Sequence, residues 1–283
     1  RSMVVPMAVT LGGIYLPLKK RGNAIGWLLT GVALAGLIGA PVIGIIAAVG
    51  GWQWAFLGFV LPIAVLSLML TAKGVPSPAR SHRLFKSTGQ YLDGFKGVFS
   101  NRSATACLLG GVFGMGARQA IVLYGVSFFR QQFLITIEFA TILLLLWSLC
   151  FIIGSLVGGR IINRLGRKPV TILAAIFSGI FIIAYTNVPN IWLALTLMFL
   201  CCVFTSMRAT AINSLTLEQV PSFRGAMMSI LAAAASMGAA LGAGVGGLAL
   251  LLFNYKVLGL ILGTMSLIAG LIFYFWVSDP TRT

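Results

Sequence analysis

Apolar residues run along this chain in long blocks separated by short polar or basic stretches, at 2–17, 24–48, 53–72, 104–127, 137–159, 170–187, 191–214, 226–251 and 256–277. A helix needs about 20 apolar residues to cross a hydrocarbon core of ~30 Å. Eight of the blocks are therefore predicted as full transmembrane spans and the first as a partial one. The fold class is an all-α polytopic membrane protein. Two blocks follow one plan, 203 positions apart: Arg21-Gly22 opens the first and Arg224-Gly225 the second. At that offset Gly39, Ala40 and Gly44 recur as Gly242, Ala243 and Gly247. Such internal repetition marks two related bundles in one chain. Within its own bundle the second copy is preceded by the four blocks 104–127, 137–159, 170–187 and 191–214, but only about twenty residues precede the first. The chain is thus expected to begin inside a helix of an incomplete first bundle.

Composition supports the membrane reading. Hydrophobic residues make up 59% and charged residues 8%, with a mean hydropathy of +1.03, whereas soluble domains carry about 25% charged residues. The net charge of +16 would suit a nucleic-acid partner, but its placement argues against one. Fifteen basic residues fall in connections on one predicted face, among them Lys19, Lys20, Arg21, Arg160, Arg167 and Arg224, and two, Arg130 and Lys256, on the other. An excess of this kind orients a membrane protein, so the basic face and the C-terminus are expected to be cytoplasmic. The predicted division is 1–72 for the first bundle, 73–102 for a basic linker and 103–283 for a second bundle of six helices. The linker carries an amphipathic stretch around Leu84, Phe85, Tyr91, Leu92 and Phe95 that suits the headgroup boundary.

Chemistry-bearing residues are sparse. Cys107, Cys150, Cys201 and Cys202 lie inside spans without CxxC spacing, and His82 is alone in the linker, so no metal, cofactor or disulfide is expected. The spans hold no His, no Asp and no acid pair, which disfavours an enzyme. A G-x-x-x-x-G-K-[ST] nucleotide loop is absent from the sequence, so transport would have to draw on a gradient. Arg118 stands out: it lies sixteen residues past Arg102, roughly 24 Å along a helix. A charge at that depth is costly and tends to face a cavity. Two readings stay open, a clamp for a substrate carboxylate or phosphate and a pair with Glu138. Arg208 lies close enough to the basic face to snorkel, with a place in the substrate cavity as the alternative. Glu218 and Arg224 read as a local solvated pair beside Pro221.

Three signatures resemble the major facilitator superfamily, and more closely its drug:proton antiporter and metabolite-efflux branches. Gly36-Leu37-Ile38-Gly39-Ala40-Pro41-Val42-Ile43-Gly44 is similar to the antiporters' fifth-helix motif. Gly159-Arg160-Ile161-Ile162-Asn163-Arg164-Leu165-Gly166-Arg167-Lys168 is similar to the family's basic loop motif, with Asn163 where the family has Asp. The Arg-Gly helix openings are the third. The resemblance implies two helical bundles, helices four to twelve of the family plan, a monomer in the plasma membrane, and alternating access. Gly154 and Gly158 on one helix, and Gly242 and Gly246 with Gly36, Gly39, Pro41 and Gly44 on the repeated pair, would then let helices approach and slide at a gating interface. Gly159, Asn163, Arg164, Gly166, Arg167 and Lys168 would form a conformational latch. The implied activity is proton-coupled efflux of a small organic compound; the alternative is an importer or uniporter of an anionic metabolite held by Arg118.

Overall fold

The computed structural model describes residues 4–74 and 88–280, and every regular element among them is helical. The helices are α1 (Val4–Tyr15), α2 (Leu18–Leu34), α3 (Ala40–Gly50), α4 (Trp52–Ala55), α5 (Leu61–Gly74), α6 (Thr88–Ser100), α7 (Arg102–Phe133), α8 (Ile137–Leu165), α9 (Arg167–Asn187), α10 (Ile191–Thr216), α11 (Arg224–Leu252) and α12 (Tyr255–Trp276). Among the described residues eight helical stretches are long and apolar enough to cross a membrane.

Local chemistry explains where the helices start and bend. Asparagine side chains cap three of them: Asn101 accepts from the Ser103 and Ala104 amides, Asn190 from Trp192 and Leu193, and Asn254 from Lys256 and Val257. Each satisfies backbone donors that have no partner within the helix. Between α2 and α3 a π-helical turn spans Ala35–Gly39, and between α4 and α5 a second spans Phe56–Val60. Each ends two residues before a proline, Pro41 and Pro62. Proline lacks the N–H for its helical bond and clashes with the carbonyl four residues earlier; the wider turn absorbs both defects, so each helix continues past its proline.

Two boundaries move outward. The basic motif was expected to be a loop, yet Gly159 to Leu165 continue α8 and only Gly166 breaks the chain before α9. Gly166 has φ 95° and ψ 165°, a region reserved for glycine. Gly166→Ala is expected to cost about 1–3 kcal/mol, seen as a lower thermal midpoint in detergent. In the basic segment expected as a linker, Thr88–Ser100 is helical; Leu84 and Phe85, and the side chains of Tyr91 and Leu92, lie outside the described residues.

Helices α7 to α12 form a bundle in which α7 packs on α11 and α12, α12 on α9, α9 on α10, and α10 on α8. Its core holds Ile121, Phe129, Tyr185, Met198 and Leu262 at one end and Leu215, Met227 and Phe273 at the other. The first half attaches reciprocally: α2 packs on α8 and α10, and α1 packs on α11. At the offset of 203, α1 is the counterpart of the end of α10, and α2 that of α11. The α1–α11 and α10–α2 contacts are therefore the same contact exchanged between halves. On α5, Leu61, Leu66, Leu68 and Leu70 point outward, as lipid-facing residues do.

Candidate functional site

The repeat brings its two Arg-Gly pairs to one acid. Glu218, only 5% exposed, follows the end of α10. It pairs with Arg21 of α2, with Arg224 of α11 at 3.1 Å and with Arg167 of α9 at 3.8 Å. Arg21 Nε also donates to the Leu16 carbonyl at 2.8 Å, and Arg224 Nη1 donates to the Gly13 carbonyl at 3.3 Å. The expected solvated Glu218–Arg224 pair is thus corrected: the end of α1 and the start of α2 bury it. The repeat is asymmetric at this point, because Tyr15 stands at the position equivalent to Glu218. One carboxylate serves both arginines. Lys20, Arg21 and the Arg167 turn, predicted to share a face, do converge at this basic end.

Beside the hub, α2 and α8 approach at backbone distance. A Cβ at Gly26 would lie 2.7 Å from the Ser155 carbonyl oxygen, and one at Gly159 would lie 2.8 Å from the Gly22 carbonyl. One turn on, the Thr30 and Ser155 hydroxyls meet at 3.0 Å, both buried. The Asn163 side-chain oxygen sits where a Gly22 Cβ would come within 2.8 Å. This seam joins the two halves; sequence reasoning saw Gly22 only as a helix opening and missed Gly26, Thr30 and Ser155. Their four-residue spacing was the available signal.

The glycine stripes chosen from sequence lie elsewhere. Cβ atoms at Gly36, Gly39 and Gly44 would meet nothing within 4 Å. Pro41 follows the π-helical turn. Gly154 and Gly158 pack against Val203, Ser206 and Met207 of α10, inside the second bundle. Gly242 rests on the Gly116 backbone of α7 and Gly246 on Tyr124, again within that bundle. These contacts seal one bundle instead of lining the seam between halves, because the repeat places α11 against α7. In the basic motif, Asn163 and Arg164 are exposed and Arg167 is buried. The Lys168 amide donates to Asp279 Oδ2 at 3.4 Å. A carboxylate from beyond α12 thereby sits at the N-terminus of α9, where the dipole favours it.

Two arginines stand within the bundle's spans. Arg208, expected to snorkel, is instead 3% exposed: its Nη2 donates to the Gly114 carbonyl at 2.5 Å, and its Nε has no hydrogen-bond partner. Gly114 is required there, since a Cβ would overlap the guanidinium. Arg118, one turn further along α7, lies over the Phe151 ring of α8, 4.6 Å from its centroid. Such stacking favours a guanidinium. Arg208 is thus anchored on α7 one turn from Arg118. Glu138 opens α8, and its side chain lies outside the described residues. Chemically, the hub and seam can hold one end shut, and the paired guanidinia can hold an anion.

Solved transporters share this architecture. The E. coli transporter FucP in its outward conformation matches at TM-score 0.75 and 16% identity, over 96% of this chain and 71% of that chain. A proton:xylose symporter bound to 6-bromo-6-deoxy-D-glucose matches at 0.73 and 17%, over 98% and 68%. A human organic anion transporter matches at 0.75 and 14%, over 95% and 67%. At these identities the likeness shows the fold. The family model described as the Major Facilitator Superfamily matches residues 1–136 and 108–283, the whole length between them. The chain belongs to the Major Facilitator Superfamily of membrane transporters.

Proposed function

We propose that the chain moves a small organic anion across the membrane by alternating access, with Arg118 and Arg208 as its anion-binding side chains and the Glu218 hub as the latch of one gate. The carrying observation is the buried Arg208 guanidinium, whose Nε lacks a partner and whose Nη2 rests on the Gly114 carbonyl, one turn from Arg118. A cation near the bilayer centre costs about 2.5–3.5 kcal/mol even on the most lenient scale, so the buried Arg208, whose Nε has no partner, calls for a compensating ligand. The basic end is closed by the hub and the α2–α8 seam. With that end cytoplasmic, as the charge asymmetry supports, this is an outward-facing state, in keeping with the conformation of the FucP structure. The chain would work in the plasma membrane, as a monomer, with its C-terminus cytoplasmic.

A second reading is proton-coupled efflux of a neutral or cationic compound. It is favoured by the Gly36–Gly44 segment, which resembles the antiporter motif and carries a π-helical turn before Pro41. Proteoliposome flux separates the two. Arg118→Gln is expected to lower flux of carboxylate- or phosphate-bearing compounds at least about tenfold, the value of a charge-assisted hydrogen bond, and to spare neutral analogues. Equal loss for both classes, or none, would defeat the anion reading. Flux unchanged by collapse of the pH gradient in the same vesicles would remove proton coupling.

A further inference from the structure

The basic end carries a second feature that the transport reading leaves unused. Helix α6 packs closely on the turn that opens α11: Cβ atoms at Gly94 and Gly97 would lie 3.3 Å from the Phe223 ring, and Val98 is fully buried. Its other side presents Phe95 and Phe99 outward, with Lys96 and Asp93 also exposed. Where α6 ends and α7 begins, a groove of about 500 Å³ opens, lined by Phe99, Arg102, Thr105, Leu109, Ile272 and Trp276. Arg102 is exposed at the groove's α6 end, while Leu109 and Trp276 are exposed apolar walls from α7 and α12. From Arg102 to Leu109 the groove runs roughly 10 Å along α7, toward the middle of the membrane.

We propose that this groove binds one anionic phospholipid of the leaflet at the basic end, with its phosphate on Arg102 and an acyl chain along Thr105, Leu109 and Ile272. Charge complementarity selects the occupant. Arg102 and Lys96 outnumber Asp93 at the headgroup end, and basic residues beside a bilayer attract anionic lipid. A guanidinium is also suited to paired contacts with a phosphate. The apolar walls exclude a free phosphate as the ligand, because one exposed arginine in water holds an ion weakly. Trp276 sits where an amphipathic ring prefers the membrane interface. The α6 helix, with its exposed phenylalanines, completes an interfacial surface.

The test is native mass spectrometry of the purified chain in detergent, titrated with phosphatidylglycerol or phosphatidylcholine. Wild type is expected to retain phosphatidylglycerol about fivefold more tightly, the worth of one basic residue near a membrane. Arg102→Gln should erase that preference without disturbing the fold, since Asn101 caps α7 and Arg102 makes no core contact. Thr105→Trp, which fills the groove and leaves the charge, should lose both lipids. Equal retention of the two lipids by wild type, or a preference that survives Arg102→Gln, would overturn the proposal. So would displacement of the lipid by millimolar inorganic phosphate. A dimer that Thr105→Trp converts to monomer would assign the groove to a second copy of the chain. The readout is independent of transport, so it stands or falls apart from the anion reading.

Discussion

Glu218→Gln is expected to open the basic end. The substitution keeps the size and polarity of the side chain and removes its charge, leaving Arg21, Arg167 and Arg224 facing one another with nothing to neutralise them. Removing one partner of a buried ion pair costs about 3–5 kcal/mol, because the remaining charge is left desolvated. Here three cations are left. Arg167 and Glu218 are nearly inaccessible, and Arg21 and Arg224 have side chains 11% and 22% exposed. Solvent screening therefore discounts the penalty modestly and does not cancel it. The cost falls on the state in which α2, α9 and α11 converge, so the equilibrium moves toward separation of the halves. A cysteine placed at Ser155, fully buried in the α2–α8 seam, reports on that separation. Maleimide labelling of Ser155→Cys should quicken more than a hundredfold when Glu218→Gln is added, the equivalent of about 3 kcal/mol. Labelling that stays equally slow would mean the hub does not hold the gate.

The hub illustrates what could and could not be seen before the fold was known. The spans were legible because each must satisfy its backbone internally and match a lipid thickness, constraints that leave long apolar runs. The gathering of Arg21, Arg167 and Arg224 at one end followed from charge asymmetry, whereas the reciprocal α1–α11 and α10–α2 packing became visible only in the fold. Glu218 was misread because the stretch Glu218 to Arg224 looks like a short polar connection. Its burial comes from a residue 197 positions away, and no local pattern encodes that. Arg208 was misread for a related reason. Depth counted along one helix predicts snorkelling, but the vacancy that holds its guanidinium is Gly114 on α7, 94 positions earlier.

The same logic separates the two glycine series. Gly36, Gly39 and Gly44 sit in an uninterrupted apolar run, so their stripe is conspicuous; Gly22 and Gly26 share a turn with Asn23 and follow three basic residues, so theirs is masked. By the repeat, Gly39 and Gly44 correspond to Gly242 and Gly247, and α11 turns that face to α7 of its own bundle. In the first half the same face meets no neighbour within 4 Å of a Cβ at Gly36, Gly39 or Gly44, so it takes no part in the α2–α8 contact.

Gly26→Val and Gly36→Val should therefore diverge, although both put a branched residue into the same long helix. Valine is a somewhat better helix former than glycine, a gain of a few tenths of a kcal/mol that both variants share. At Gly36 nothing lies within 4 Å of the new Cβ, so closure of the basic end should be unchanged. At Gly26 the new Cβ would lie 2.7 Å from the Ser155 backbone oxygen, an atom that cannot rotate aside as a side chain would. The helices must part by several tenths of an ångström, which also stretches the Thr30–Ser155 hydrogen bond and loosens the neighbouring Gly22–Gly159 contact. Overpacking of this kind costs about 1–3 kcal/mol, more than the propensity gain and enough to shift the gate by roughly tenfold to a hundredfold. A distance between spin labels on α2 and α8 at the basic end should lengthen in Gly26→Val and stay put in Gly36→Val. The reverse pattern would return the sliding surface to the conspicuous stripe and make the α2–α8 seam a static contact.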